Sequence, residues 1–172
     1  MVQFDAHPDY AKAEPGFSYT NAHPFRHVAG MSHVKSLTQV GIRIVRAFQA
    51  RDSRADGNQV IGMKRFYELG PKGIAALIPA GEPCYVSIDI DALDCTLVPG
   101  CVSAEPNGMT FRELTDSLAA LAKRCRIVGF DLVEVAPLLD TPNKITSYLA
   151  TQLIIEFLGR ICEEDYWKKR YL

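Results

Sequence analysis

The chain has 172 residues, of which 48% are hydrophobic and 23% charged, and its formal net charge is −1. This length and composition are ordinary for one globular domain with a substantial core, spanning residues 1–172. A charge so close to zero offers no attraction for nucleic acid or an anionic membrane surface. No apolar run approaches the roughly 18 residues that a membrane span needs. From the charge and the hydropathy together, we expect neither nucleic acid nor membrane as a partner.

Cysteine usage and the first residues bear on the cellular compartment. The five cysteines are an odd number, and none forms a Cys-x-x-Cys pair. The beginning of the chain lacks the basic and apolar regions of a secretory signal peptide. These features predict reduced thiols in a cytoplasmic protein.

The hydrophobic pattern predicts strands alternating with helices along the chain. Strands are predicted at 1–5, 34–44, 84–91 and 127–135, and helices at 59–69, 72–78, 110–124 and 146–164. Loops are expected at 6–26, 94–108 and 137–144, a solvent-facing segment at 48–57 and a partly solvated tail with packed rings at 165–172. This alternation predicts an α/β fold with a parallel sheet, whose sites form outside the carboxyl ends of the strands.

Two local signals mark helix ends in this scheme. Thr110 and Glu113 have the spacing of a capping box, which predicts the start of a helix. Gly70 followed by Pro71 predicts the end of the helix before them, since this pair interrupts helical backbone.

The most informative stretch is the segment 85–94, in which an apolar run ends in carboxylates. Within it, Asp89 and Asp91 alternate with apolar residues. Alternate residues of an extended chain share a face, so both carboxylates are expected to project together from a strand end. Two adjacent carboxylates repel each other and lose hydration, and a cation between them removes that cost. The pattern therefore predicts a metal site.

A second motif lies near the start of the chain. Asp5, His7 and Asp9 stand at i, i+2 and i+4 after the apolar Val2 and Phe4. An extended segment would aim all three side chains at one point. Carboxylates combined with an imidazole suit Mn, Fe or Zn better than Ca or Mg. Together the two motifs favour a two-metal site.

Glu134 lies late in the strand predicted at 127–135. A carboxylate that leaves an apolar strand is costly unless it meets a cation. A guanidinium substrate could supply that cation through a bidentate contact, and an ion pair within the chain is an equally simple explanation. A pair of metal ions can activate water for attack on carbon or phosphorus. A phosphate substrate would call for Arg, Lys or a helix N-terminus at the site, so a guanidino substrate is favoured.

Three motifs together resemble the ureohydrolase family of arginases, agmatinases and their relatives. These motifs are the segments 5–9, 87–94 with Pro99-Gly100, and 129–137. Shorter counterparts lie at 39–43, 105–109 and 145–146. The resemblance runs through nearly the whole chain, and the motifs in combination are specific.

The resemblance implies a three-layer α-β-α fold with a mainly parallel sheet and a centre of two Mn²⁺ ions. It implies hydrolysis of a small guanidino compound to urea and an amine through a metal-bridging hydroxide. Asp5 and Asp89 would bridge both ions, Asp9 would serve one ion, and His7 and Asp91 would serve the other. A homo-oligomer, either a trimer or a hexamer, is also implied.

Departures from the family pattern lead to further expectations. The family takes another metal-ligating histidine from a segment before its first motif, so we expect this chain to lack the N-terminal part of the fold. The family often has a proton-shuttling histidine where Asn21 stands, and His23, two residues later, could substitute. The candidate catalytic residues are therefore Asn21, His23 and Glu134, with Glu134 orienting the guanidinium.

Agmatine is the first guess for the substrate, because Val135-Ala136-Pro137 resembles agmatinase usage. Arginase or guanidino-acid hydrolase specificity stays open, since the loop after Asp5 resembles arginase-like members equally well. A second hypothesis is that the chain is a truncated, inactive ureohydrolase-like domain that binds metal weakly or assembles with a complete partner. A third hypothesis is a two-metal phosphohydrolase.

Overall fold

A computed structural model describes residues 1–44 and 47–171. Its centre is a five-stranded sheet in the order β3-β2-β1-β4-β5, in which every neighbouring pair is parallel. The strands are β1 (Val2–Phe4), β2 (Thr38–Ile42), β3 (Gln59–Gly62), β4 (Pro83–Asp89) and β5 (Arg126–Val133). The α/β architecture with a mainly parallel sheet is therefore confirmed.

Helices lie on both faces of this sheet, as in a three-layer fold. They are α1 (Pro24–Ala29), α2 (Ala47–Ala55), α3 (Met63–Ala76), α4 (Phe111–Arg124), α5 (Ile145–Cys162) and α6 (Asp165–Tyr171). Helix α4 contacts both α3 and α5, and these three helices bury the main core against one face. On the other face α2 contacts the sheet, and a smaller buried group joins Phe25 of α1 to Tyr10 and Leu37.

Most predicted elements occur close to their expected positions, and the longest helices agree best. The capping box is present, since the Thr110 side chain accepts from the Glu113 N–H and the Glu113 side chain accepts from the Thr110 N–H. In α3 the backbone leaves helical geometry at Gly70, whose φ is 65°, directly before Pro71. The helices predicted at 59–69 and 72–78 are thus largely the two halves of α3.

In the tail, Tyr166 packs against the core, while residue 172 lies outside the described residues.

The helix predicted to start at residue 59 is wrong in its first four residues, which form the edge strand β3. Only Ile61 of this strand is buried. A strand this short gives too few positions for a period of two to be distinguished from helical spacing.

Three helices were missed by the sequence analysis, and one of them, α6, lies in the segment expected to be a partly solvated tail. Helix α1 begins inside the predicted loop, and α2 occupies the segment expected to face solvent. That expectation is wrong for one side of α2, where Gln49 and Ser53 are buried and the Ser53 hydroxyl donates to Gln39 at 2.6 Å. A polar helix that is buried through hydrogen bonds has no apolar stripe for the periodicity to detect.

Within residues 1–44 and 47–171, no helix combines the length and the apolar character needed to cross a membrane.

Candidate metal centre

The two acidic motifs meet at the carboxyl edge of the sheet, where β1 and β4 lie side by side. Phe4 pairs with Ile88 in the register of these strands, so Asp5 and Asp89 follow at neighbouring positions. Both side chains are buried. Parallel pairing therefore brings together two carboxylates that lie far apart in the sequence.

Asp91 reaches the same place through a turn. Strand β4 ends at Asp89, and a 3₁₀ turn at Ile90–Ala92 follows, so the expected strand face shared by Asp89 and Asp91 is wrong. Instead the Asp89 Oδ1 atom accepts from the Asp91 N–H at 2.8 Å. The Asp91 Oδ1 atom accepts from the Ala6 N–H at 2.8 Å, which joins this turn to the segment after β1.

His7 connects its own motif to the second one. Its ring Nδ1 atom is 2.8 Å from Asp91 Oδ2 and 3.7 Å from Asp5 Oδ1, and its backbone N–H donates to Asp5 Oδ1 at 2.6 Å. The segment 5–9 is a bent loop and not the expected extended chain, because Asp9 has a positive φ of 45°. Asp9 consequently lies beside this group, where it lines the adjacent clefts.

Two groups of side chains offer ligand atoms that all lie within 4.8 Å of one another. One group is Asp5, His7 and Asp91, and the other is Asp89, Asp91 and Cys101. Cys101 was not singled out in the sequence analysis. Its position directly after Pro99-Gly100 was the one available signal, since that pair was already part of a motif.

The carboxylates of this cluster are held in an electrostatically unfavourable arrangement. Burial, together with the neighbouring carboxylates, raises the pKa of Asp5 to about 8 and that of Asp89 to about 10. Hydrogen bonds with Asp5 and Asp91 raise the pKa of His7 to about 10. Burial opposes ionisation of Asp91 as well, but its bonds with His7 and the Ala6 N–H lower its pKa. Without a cation, the cluster must therefore retain protons to neutralise its charge.

Glu134 follows β5 directly and has a φ of 66°, a conformation that is strained for any residue except glycine. Within the described part of the chain, neither a hydrogen-bond donor nor a cationic side chain pairs with its carboxylate. The alternative of an internal ion pair thus has no support among these residues. Neither the backbone strain nor the unpaired carboxylate stabilises the fold, so Glu134 is a candidate functional residue.

Two clefts open over the cluster, with volumes of about 1180 and 620 Å³. Both are lined by the same four residues, Asp9, Asn21, Asp89 and Glu134. The larger cleft has mainly apolar walls from α1 and from β4 and β5. The smaller cleft includes the cluster residues His7 and Asp91 and the side chain of His23.

The two remaining candidate catalytic residues differ in their surroundings. Asn21 is exposed at the mouth of both clefts. His23 is buried, with Nδ1 2.7 Å from the Thr20 hydroxyl and Nε2 3.2 Å from the Lys12 carbonyl oxygen. Both ring nitrogens are thus engaged by the loop, and a role for His23 in proton transfer stays a prediction.

A chain of buried polar side chains supports Asp5 from behind. The Gln3 amide donates to Asp5 Oδ2 at 2.6 Å and to the His7 carbonyl at 3.1 Å. Gln39 in turn donates to the Gln3 oxygen at 2.6 Å and accepts from the Ser53 hydroxyl. The sequence analysis missed Gln3, because a buried glutamine in a strand carries no motif, and it included Gln39 only as the first residue of the segment 39–43.

Arg43, at the end of β2, fixes the loop that follows β4. Its Nη2 atom donates to the carbonyl oxygens of Asp91 at 2.7 Å, Leu93 at 3.2 Å and Glu105 at 2.9 Å. Its Nε atom donates to the carbonyl of Pro106 at 2.9 Å. One guanidinium therefore ties together both ends of the loop that carries Asp91.

The fold and the site together define a class of protein, the parallel α/β proteins that carry a carboxylate–histidine cluster at the carboxyl edge of the sheet. A sequence profile described as the Arginase family matches residues 1–159, so the chain belongs to the arginase family.

Similar proteins of known name agree with this membership. The chain is 33% identical over 164 residues to the mitochondrial arginase of Medicago truncatula, a match that covers 94% of this chain and 47% of the relative. It is 32% identical over 163 residues to the agmatinase of Bacillus cereus, covering 92% of this chain and 53% of the relative.

Among solved structures, the proclavaminate amidinohydrolase of Streptomyces clavuligerus is similar with a TM-score of 0.83 and 36% identity. That match covers 93% of this chain and 55% of the other. The chain spans about half the length of the curated relatives it matches.

Proposed function

We propose that this chain is an amidinohydrolase that uses two Mn²⁺ ions to cleave a small guanidino compound into urea and an amine. The observation that carries the proposal is the convergence of Asp5, His7, Asp89 and Asp91 beside the unpaired carboxylate of Glu134. Relatives named arginase, agmatinase and proclavaminate amidinohydrolase support guanidino chemistry and differ in substrate. Agmatine is our first choice, on the resemblance of Val135-Ala136-Pro137 to agmatinase usage.

The donor set suits divalent cations. Carboxylate oxygens and an imidazole are ligands that Mn²⁺ accepts, and cations would replace the protons that the buried cluster otherwise retains. Asp5 and Asp89 would contact both ions, His7 and Asp91 one of them, and Asp9 the other. When bound, two such cations supply activation of water near neutral pH.

Glu134 would position the substrate. Its carboxylate could accept two parallel N–H bonds from a guanidinium, which fixes the plane of that group as well as its place. A planar group held in this way presents its central carbon at a defined angle to the cluster. The amine product also needs a proton, and His23 would have to exchange its bond to the Lys12 carbonyl for one to the substrate in order to deliver it.

The test is urea release from agmatine, arginine and guanidinobutyrate by the Mn²⁺-loaded chain. Glu134→Gln should abolish turnover and leave the metal content unchanged, because Glu134 is proposed to contact substrate and not metal. Glu68→Gln is the matched control, since Glu68 is exposed on α3 and pairs with Arg65. A folded, metal-loaded chain that releases no urea from any of the three substrates contradicts the proposal.

A second candidate is an inactive, metal-binding member of the family, which is favoured by the contacts that engage both ring nitrogens of His23 within the loop. Metal analysis separates the two: a working centre should contain two ions per chain, and an inactive domain one or none. A trimeric or hexameric assembly is also proposed on the family resemblance alone, and a cytoplasmic location is proposed on the cysteine usage.

A further inference from the structure

Cys101 lies at the metal cluster, although the proposed reaction gives it no role. Its Sγ atom lies within 4.8 Å of ligand atoms of Asp89 and Asp91. All three residues are buried, with Cys101 only 7% exposed. The sulfur is therefore placed where a cation held by these two carboxylates would also meet a thiol.

The backbone around Cys101 is fixed on three sides. The Cys101 N–H donates to the Val98 carbonyl at 3.1 Å. The Gly100 N–H donates to the Thr146 hydroxyl at the start of α5 at 2.8 Å, and the Gly100 carbonyl accepts from the Ala136 N–H at 2.7 Å. The segment therefore has little freedom to move the sulfur away.

Packing limits this segment further. A Cβ atom on Gly100 would lie 2.7 Å from the Cβ atom of Asp140, so the backbone here approaches its neighbour as closely as a glycine allows. Asp140 is itself fixed, since its Oδ2 atom accepts from the Ser147 N–H and hydroxyl, both at 2.9 Å. A side chain held by such a scaffold is preorganised for a ligand that needs defined geometry.

We propose that Cys101 is a ligand of the cation held by Asp89 and Asp91, so that the centre combines carboxylate, imidazole and thiolate donors. The inference rests on the proposed function, because that function places a cation at these carboxylates. As the sulfur–metal bond forms, the thiol proton is released to solvent and no electrons are transferred. A thiolate is a softer ligand than a carboxylate, so Cys101 should increase the preference for Zn²⁺ or Co²⁺ relative to Mn²⁺.

Titration of the metal-free full chain with Co²⁺ tests the proposal directly. The wild type should develop a near-ultraviolet sulfur-to-cobalt charge-transfer band, and Cys101→Ser and Cys101→Ala should lack it. Cys95→Ser is the matched control, since Cys95 lies in the same loop and in neither group of candidate ligands among the described residues. Affinity for Zn²⁺ should fall at least about 10-fold in the Cys101 variants, because even indirect partners of a metal contribute that much.

X-ray absorption of the Zn²⁺-loaded wild type gives a readout that needs no variant. A sulfur neighbour at about 2.3 Å is expected. If the wild type binds Co²⁺ without the band, or if the band persists in Cys101→Ala, the thiolate ligand is excluded while the metal site itself stands. If the natively folded chain binds neither Co²⁺ nor Zn²⁺, the ligand role of Cys101 and the proposed function are both wrong.

Discussion

The Nδ1 atom of His7 lies 2.8 Å from the Oδ2 atom of Asp91, although 84 positions separate the two residues. This contact joins the loop after β1 to the turn after β4. The two residues also belong to the same candidate ligand group, together with Asp5. A cation would have to share or replace this bond, so stability, protonation and metal binding should be linked at this point.

Asp89→Asn should lose metal and leave the metal-free fold intact. The amide oxygen can still accept the Asp91 N–H, and the substitution removes a buried ionisable group. The unfolding midpoint without metal should therefore be no lower than in the wild type. Mn²⁺ at 100 times its dissociation constant should stabilise the wild type by about 2.7 kcal/mol for each ion bound and the variant by far less.

Thermal unfolding with EDTA and with Mn²⁺ measures both quantities. Asp116→Asn is the control, since Asp116 is exposed on α4 and pairs with Arg112. If Asp89→Asn kept the full Mn²⁺-induced shift, Asp89 would not be a ligand.

The metal-free chain should lose stability as the pH rises from about 4 to about 10, the range between the unfolded and the raised native pKa values. Burial raises the pKa of Asp5 to about 8 and of Asp9 to about 7, and bonds with Asp5 and Asp91 raise that of His7 to about 10. The unfolded chain releases the carboxyl protons near pH 4 and the imidazole proton at about 6.5. Above these values the unfolded state binds fewer protons than the native state, so rising pH favours unfolding.

Saturating Mn²⁺ should remove this decline, because the cations replace the protons that the native cluster retains. Unfolding midpoints at about pH 5 and about pH 8, with EDTA and with Mn²⁺, give the comparison. Asp140 does not obscure it: bonds from Thr146 and Ser147 outweigh burial and lower the pKa of Asp140, so its contribution is lost only at more acid pH. A metal-free midpoint that increases between the two pH values would contradict the prediction.

Arg43→Met should destabilise the chain by about 3 kcal/mol, because several carbonyl groups lose a charged donor at once. Arg43→Lys should recover little of this loss, since an ammonium group lacks the planar fork that reaches Asp91, Glu105 and Pro106 together. Urea unfolding measures both variants. Arg65→Met is the control at an exposed pair and should change stability by less than about 0.5 kcal/mol. Equal effects at Arg43 and Arg65 would show that the loop does not depend on Arg43.

Two glycine substitutions should have opposite signs. A Cβ atom at Gly108 would lie 2.5 Å from the Asp94 nitrogen and from the Leu93 carbonyl carbon, so Gly108→Ala should destabilise by about 2 kcal/mol. A Cβ atom at Gly159, inside α5, would meet nothing within 4 Å, so Gly159→Ala should stabilise by up to about 1 kcal/mol. Urea unfolding of the two variants gives the comparison, and destabilisation by Gly159→Ala would contradict the account of that position.

Local signals in the sequence predicted those parts of the fold that depend on local chemistry. The start of α4 follows from Thr110 and Glu113, whose reciprocal bonds lie within one helical turn. The break in α3 follows from Gly70 and Pro71 in the same way. Strand β3 was assigned to a helix because its four residues form a strand only by pairing with β2, which is a tertiary contact.

The candidate site likewise contains some residues that the sequence predicted and others that only the tertiary structure revealed. The sequence was sufficient to name Asp5, His7, Asp89 and Asp91. Packing alone rarely explains carboxylates and an imidazole that directly follow apolar strands. Their roles as ligands stay predictions. The support from Gln3 and the position of Cys101 could not be predicted, since each depends on partners that lie elsewhere in the chain.

The amino-acid sequence by itself determined the alternation of strands and helices, the family resemblance and the kinds of ligand available at the carboxyl edge. Only the tertiary structure decided that Asp91 meets His7 through a turn, that Arg43 fixes the loop after β4 and that the Cys101 sulfur lies beside the carboxylates. The physical reason is that periodicity and capping act between near neighbours in the chain and so leave a pattern in the sequence. Hydrogen bonds and close approaches between distant segments depend on strand register and on chain bending. Neither register nor bending leaves a pattern in the sequence.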